Sequence, residues 1–168
     1  MAKKKDKAPA KFDIQSPEHK LLLTLAGGTV TIQMRPDWAP AHVKRIKELV
    51  REGFYDGLTF HRVIEGFMAQ TGDPSGSGNG GSGKRIKAEF NDANHDRGTC
   101  SMARARDVNS ADSQFFICLA NSHFLDGEYT AWGRVTDGME HVDAIAKGEP
   151  PAKPDKIITM KVMADETK

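Results

Sequence analysis

Cysteine is scarce in this chain: two residues, Cys100 and Cys118, neither in a CxxC pair. They could make one bridge at most, and their neighbours (Thr99, Ser101 and Met102; Phe116, Ile117 and Leu119) are small or apolar. They read as free buried thiols, not as a disulfide framework, a reactive nucleophile or a redox switch. An excess of either charge is also missing. Lys and Arg number 24 against 23 Asp and Glu, a net charge of +1, so no global field draws in nucleic acid or an anionic membrane. No apolar run approaches the roughly 20 residues of a membrane span. The start, MAKKKDKAPAKFD, is basic but lacks the apolar stretch of a secretory signal. These absences point to the cytoplasm, with residues 1–13 as a flexible basic tail. The six histidines show no HExxH or other compact ligand spacing, so no metal is expected. Ser101, Ser110 and Ser113 lack a G-x-S-x-G context, which argues against a serine hydrolase. Gly76, Gly78 and Gly81 fit GxGxxG, but no buried strand precedes them and no amphipathic helix follows, so they read as a surface loop and no cofactor is expected.

What is present is an ordinary globular composition, 38% apolar and 28% charged, in 168 residues without an internal repeat, enough for one domain with a core. His19–Ala26 and Thr29–Met34 read as a hairpin across Gly27-Gly28, with Val30, Ile32 and Met34 on one face. A helix follows from Pro40 to about Glu52, its stripe formed by Val43, Ile46, Leu49 and Val50 and its stop by Gly53. Residues 54–71 mix aromatic and β-branched side chains with Gly57 and Gly66, which suits short strands broken by turns, and 74–83 is a loop. Ser113–Ala120 and Tyr129–Val135 read as core strands. A second helix is expected over Asp137–Lys147, with Asp137 and Glu140 at capping-box spacing, and one more strand at Ile158–Val162. Many short strands with two separated helices imply a closed or sandwich-like β core.

The informative stretch is Phe60–Asp73, FHRVIEGFMAQTGD. Alone, Arg62 between alternating apolar residues would be a solvent-facing charge, and Phe67 and Met68 would be core. The stretch resembles the signature of the cyclophilins, FHR-hydrophobic-hydrophobic-x-GFM-x-Q-x-GD. The resemblance continues through Gly53–Gly57, Gly98–Ala103, Asn109–Ile117, Leu125–Gly127, Gly133–Val135 and Gly138-Met139, and in order and spacing it spans about residues 19–163. It implies that residues 14–168 form a cyclophilin-type domain: a mainly β, closed eight-stranded antiparallel barrel capped by two α-helices, with a substrate groove on its outside. It further implies a peptidyl-prolyl cis-trans isomerase (rotamase) with Arg62 as catalytic residue and a groove lined by Phe67, Met68, Gln70, Ala103, Arg104, Gln114, Phe116, Leu125 and Tyr129. Its implied partners are proline-containing peptides and unfolded or folding proteins, which gives it a protein-folding or chaperone role as a cytoplasmic monomer.

Isomerisation breaks no bond, so neither nucleophile nor general base is needed. The twisted amide regains a lone pair on the prolyl nitrogen, and a permanently charged, rigidly forked donor such as Arg62 helps only there. Phe67, Met68, Phe116 and Leu125 would take the pyrrolidine ring; Gln70 and the backbone at Arg104 would hold the flanking carbonyls. The chain departs from well-known relatives at Phe124, where many have tryptophan, so cyclosporin is expected to bind with reduced affinity. Tyr129 replaces a histidine, Arg104 an asparagine and Glu65 a proline. The rival reading is a non-catalytic proline-peptide binder or chaperone on the same fold. The retained Arg62 and Gln70 favour the enzyme.

Overall fold

The computed structural model describes residues 13–166. The expected basic tail, Asp13 apart, lies outside the described residues. One eight-stranded sheet dominates: β1 (Lys20–Leu25), β2 (Gly28–Met34), β3 (Arg62–Ile64), β4 (Met68–Thr71), β5 (Thr99–Met102), β6 (Phe115–Cys118), β7 (Ala131–Asp137) and β8 (Thr159–Val162). Its order is β3-β4-β6-β5-β7-β2-β1-β8, with every pairing antiparallel.

The β1–β2 hairpin forms one residue earlier than the glycines suggest. Leu25 pairs with Gly28, so Ala26-Gly27 makes the turn. Leu21, Leu23 and Leu25 then share the inner face with Val30 and Ile32. Helix α1 (Pro40–Arg51) buries Val43, Ile46, Leu49 and Val50, the stripe its sequence spacing predicts. Its first free N–H groups, at Ala41 and His42, are satisfied from a distance by the Glu89 carboxylate at 3.1 and 2.8 Å. In the core, Trp132, Phe115 and Tyr55 meet edge-on at 5.5 and 5.4 Å. The Tyr55 hydroxyl donates to Ser113 O at 2.8 Å.

Three expectations need correction. The barrel is not closed: β3 and β8 are the two ends of the sheet and form no ladder with each other. Residues 57–63 and 148–157 fill the gap irregularly, through isolated bridges at Thr59–Lys156 and Val63–Gly148 and single bonds such as Gly57 N to Ile157 O at 2.7 Å. Pro150, Pro151 and Pro154 remove N–H donors from that segment, so a continuous ladder cannot form. The second helix, α2 (Met139–Asp143), is much shorter than Asp137–Lys147 and has no capping box. Asp137 ends β7 opposite Thr31, and Gly138 is the N-cap with φ +86°. A Cβ there would lie 2.5 Å from Thr29 O, so close packing on β2 selects glycine over a capping side chain. A one-turn helix that sequence reading missed, α3 (Met163–Glu166), directly follows β8, so the α-helices number three among the described residues.

Strands β4 and β6 carry two apolar faces. Ala69, Phe115 and Ile117 join the main core. Met68, Phe116 and Cys118 point the other way and form a second cluster with Leu125, flanked by Ile64, Phe67, Ala103 and Tyr129. That outer cluster positions the site.

Candidate active site

Strand register sets the site. Arg62 on β3 lies opposite Gln70 on β4, Gln70 opposite Phe116 on β6, and Phe116 opposite Ser101 on β5. Cross-strand partners share a face, so these side chains form a row across the outer surface. A small depression of about 130 Å³ lies along this row, lined by Arg62, Phe67, Met68, Gln70, Ala103, Arg104, Phe116, Leu125 and Tyr129. Gln114 is the expected site residue that does not line it. It lines the neighbouring hollow of about 330 Å³, which shares Gln70, Ala103 and Arg104 with the first.

Gln114 still acts on the row. Its Nε2 donates to Gly78 O at 3.0 Å and Gly80 O at 2.9 Å, and its Oε1 accepts from Gln70 Nε2 at 2.9 Å. Gln70 Oε1 in turn accepts from Arg62 Nη1 at a longer 3.4 Å. Each amide orientation is thereby fixed by the next, and the glycine-rich loop anchors the series. The loop is itself held by Asp73, which accepts from Ser75 N and Gly78 N. Burial alone would push the Asp73 carboxyl up, but the Ser75 hydroxyl and the N–H groups of Gly80, Ser75 and Gly78 hold it down at about 2. Gly72, with φ +98°, lets this corner approach Ser113, whose carbonyl oxygen a Cβ would meet at 2.5 Å.

Arg62 is about half exposed. Its Nε donates to Glu149 Oε1 at 3.0 Å, and Gln70 takes one Nη1 hydrogen, so the remaining N–H groups are uncommitted. Glu149 carries no sequence signal for this contact; it lies 87 positions away, between the end of α2 and a proline pair. Arg104 uses its guanidinium on backbone oxygens, Glu128 O at 2.8 Å and Ala105 O at 3.0 Å, and lies 4.6 Å over the Tyr129 ring. It therefore fixes Tyr129, which meets Phe116 edge-on at 5.9 Å. Phe124, 72% exposed, tilts against Phe67 at 5.5 Å on the rim.

No nucleophile is poised here. Cys100 faces the main core and Cys118 the outer cluster; both are free, and burial pushes both thiols up, Cys118 to about 12. Among the described residues, no three His, Cys, Asp or Glu side chains are grouped to hold a metal ion, and no helix is long and apolar enough to cross a membrane.

The fold and the row define a curled antiparallel sheet protein with a small surface depression in which apolar side chains lie beside the guanidinium groups of Arg62 and Arg104. The family model described as cyclophilin type peptidyl-prolyl cis-trans isomerase/CLD matches residues 20–162, and the chain belongs to this family of isomerases. A probable peptidyl-prolyl cis-trans isomerase of Brucella suis is 46% identical, covering 89% of this chain and 85% of its own. A peptidyl-prolyl cis-trans isomerase of Synechococcus elongatus is 42% identical over 86% of this chain and 96% of its own. Among solved structures, a cyclophilin from Hirschia baltica aligns with a TM-score of 0.83 at 29% identity, covering 89% of this chain and 76% of that one. A cyclophilin-type isomerase of Cryptosporidium parvum, solved in the presence of the dipeptide Ala-Pro, aligns with a TM-score of 0.79 at 28% identity, covering 85% and 98%.

Proposed function

We propose that Arg62 carries the isomerisation, donating to the prolyl nitrogen as the X-Pro bond twists, while Phe67, Met68, Phe116 and Leu125 hold the ring. The observation that carries this reading is an arginine held at the edge of an apolar depression with N–H groups to spare. Uncatalysed rotation crosses a barrier near 20 kcal/mol. One charge-assisted hydrogen bond contributes about 1.5–3 kcal/mol, and each tenfold of rate requires about 1.4, so Arg62 supplies one to two decades. The rest comes from holding both sides of the bond. Gln70 keeps a second Nε2 hydrogen for a substrate carbonyl, and the series behind it limits its freedom.

The substrates on this reading are X-Pro segments of peptides and of unfolded or folding proteins; the Ala-Pro dipeptide used with the Cryptosporidium relative supports this choice. The exposed Phe124 presents less surface than a tryptophan would, which supports reduced cyclosporin affinity. The two free thiols suit a reducing compartment such as the cytoplasm. Exchange spectroscopy on a short X-Pro peptide tests the reading, because it reports binding and turnover together. The Arg62→Ala protein should keep its fold and peptide affinity while turnover falls about 10- to 100-fold. Full turnover in that variant would refute the role of Arg62. Affinity without turnover in the wild type would instead identify a binding module.

A further inference from the structure

His95 lies in the connection leading to β5, is 1% exposed, and stacks on one wall of the pocket while bonding the residue next to the other, without itself lining it. Its backbone N donates to Asp126 Oδ1 at 2.6 Å, and its ring Nδ1 lies 2.9 Å from the same oxygen. Asp126 directly follows Leu125, one pocket wall. The other ring nitrogen, Nε2, lies 2.8 Å from Ser101 Oγ, and Ser101 is the register partner of Phe116, the opposite wall. The imidazole itself stacks on the Phe116 ring at 6.3 Å and 22°. An ionised carboxylate only accepts, so Nδ1 carries the hydrogen; Nε2 of the neutral ring then accepts from the Ser101 hydroxyl.

His42 gives the contrast. It is equally buried and bonded to Glu89 at 2.6 Å, but that bond ties α1 to a loop and its Nε2 has no partner. Every bond of the His95 side chain ends on a residue of, or next to, the proline pocket.

We propose that His95 is a positioning residue for the pocket: as a neutral ring clamped by Asp126 and Ser101, it holds Phe116 in the orientation that receives the pyrrolidine. This rests on the reading of the pocket given above. Protonation would put a hydrogen on Nε2 and leave the Ser101 hydroxyl, which is fully buried, without its acceptor. The pocket is therefore built while His95 is neutral and is loosened by acid. Burial lowers the His95 pKa, Asp126 opposes this, and Arg134 and His123 lower it further. Asp96, beside it in sequence, is taken up by His123 at 2.6 Å, and the Cys118 thiol in the same outer cluster stays neutral up to about 12.

The test is NMR of the His95 and Phe116 rings in the full chain across the acidic and neutral range, beside turnover by exchange spectroscopy. The Nδ1–H tautomer is expected at neutral pH, with Phe116 signals and turnover changing together as His95 titrates. Asp126→Asn removes the group that raises the His95 pKa, so the shared midpoint should move to lower pH. His95→Asn keeps a donor for Asp126 but loses the Nε2 acceptor and the stack; kcat/KM should fall by about tenfold or more, mainly through KM. An Nε2–H tautomer, or His95→Asn with wild-type kcat/KM and an unchanged Phe116 signal, overturns the proposal. Should His95→Asn fail to fold, the wild-type tautomer and titration decide. Arg62→Ala separates the two ideas: full turnover there refutes the role of Arg62, while the coupling of His95 to Phe116 is still read by NMR.

Discussion

Phe115 and Phe116 are neighbours in one strand, both nearly inaccessible, yet they belong to different parts of the molecule. Phe115 meets Trp132 and Tyr55 in the main core. Phe116 meets Tyr129 and His95 in a cluster with only four buried members. The inner face is mainly apolar contact, which fixes shape. Behind the outer face run the Arg62–Gln70–Gln114 and Asp126–His95–Ser101 series, which fix direction. Burial alone does not separate the two; the partners of the polar neighbours do.

The sharpest way to break this comparison is to truncate each ring in turn. Phe115→Ala should lower stability by about 3–5 kcal/mol, the usual cost of emptying a packed aromatic site. Phe116→Ala opens towards the groove, where water can enter, so its stability loss should be clearly smaller while turnover falls at least as far as for Arg62→Ala. Urea unfolding and exchange spectroscopy on both variants measure this. Equal stability losses would mean that the outer cluster is simply more core.

A second measurement examines the loop that supports the outer face. The folded-state pKa of Asp73 is depressed to about 2, so its contribution to stability is complete above the ordinary carboxylate range near 4 and is lost as pH falls from there towards 2. Linkage puts that contribution at no more than about 2.5 kcal/mol. Asp73→Asn should be less stable at neutral pH and show a flatter acid limb than the wild type in thermal melts. An unchanged acid limb would move the titration elsewhere, with Glu18, held at about 2 by the Arg51 and Lys47 side chains, the next group to try.

Sequence reading recovered the parts of this molecule whose signals are local. Alternation marked β2 and helical spacing marked α1, whereas the FHR and GFM residues pointed to a groove only through their resemblance to a family signature. It missed β5 because Thr99–Met102, buried on both faces, is half small hydroxyl residues, so neither alternation nor an apolar run marks it, whereas the equally buried β6 is apolar throughout. It overextended α2 because capping-box spacing at Asp137 and Glu140 looks the same whether or not the chain is still a strand at Asp137. It closed the barrel because closure depends on whether two distant ends can exchange hydrogen bonds, and three prolines on one side prevent that. The contacts of His95 and Glu149 were invisible for the same reason: each joins segments far apart in the chain.

Glu149 gives the smallest effect and the finest test of how direction is set on the outer face. Its carboxylate takes the Arg62 Nε hydrogen at 3.0 Å, but both side chains are about half exposed, so the pair is hydrated and screened. Exposed pairs of this kind contribute about 0.2–1 kcal/mol, which corresponds to less than about fivefold in rate. Two consequences compete. Replacing the carboxylate by a neutral amide, whose oxygen still accepts but without the charge, loosens one donor towards substrate and leaves the guanidinium steered mainly by the 3.4 Å contact to Gln70. Aim governs a reaction whose benefit appears only in the twisted state, so Glu149→Gln should lower kcat two- to fivefold at low salt, with KM nearly unchanged. Added salt should bring variant and wild type together, because screening weakens the pair in the wild type as well. A rise in kcat would show that Glu149 competes with the substrate for Arg62, and that Gln70 and Gln114 suffice to direct it.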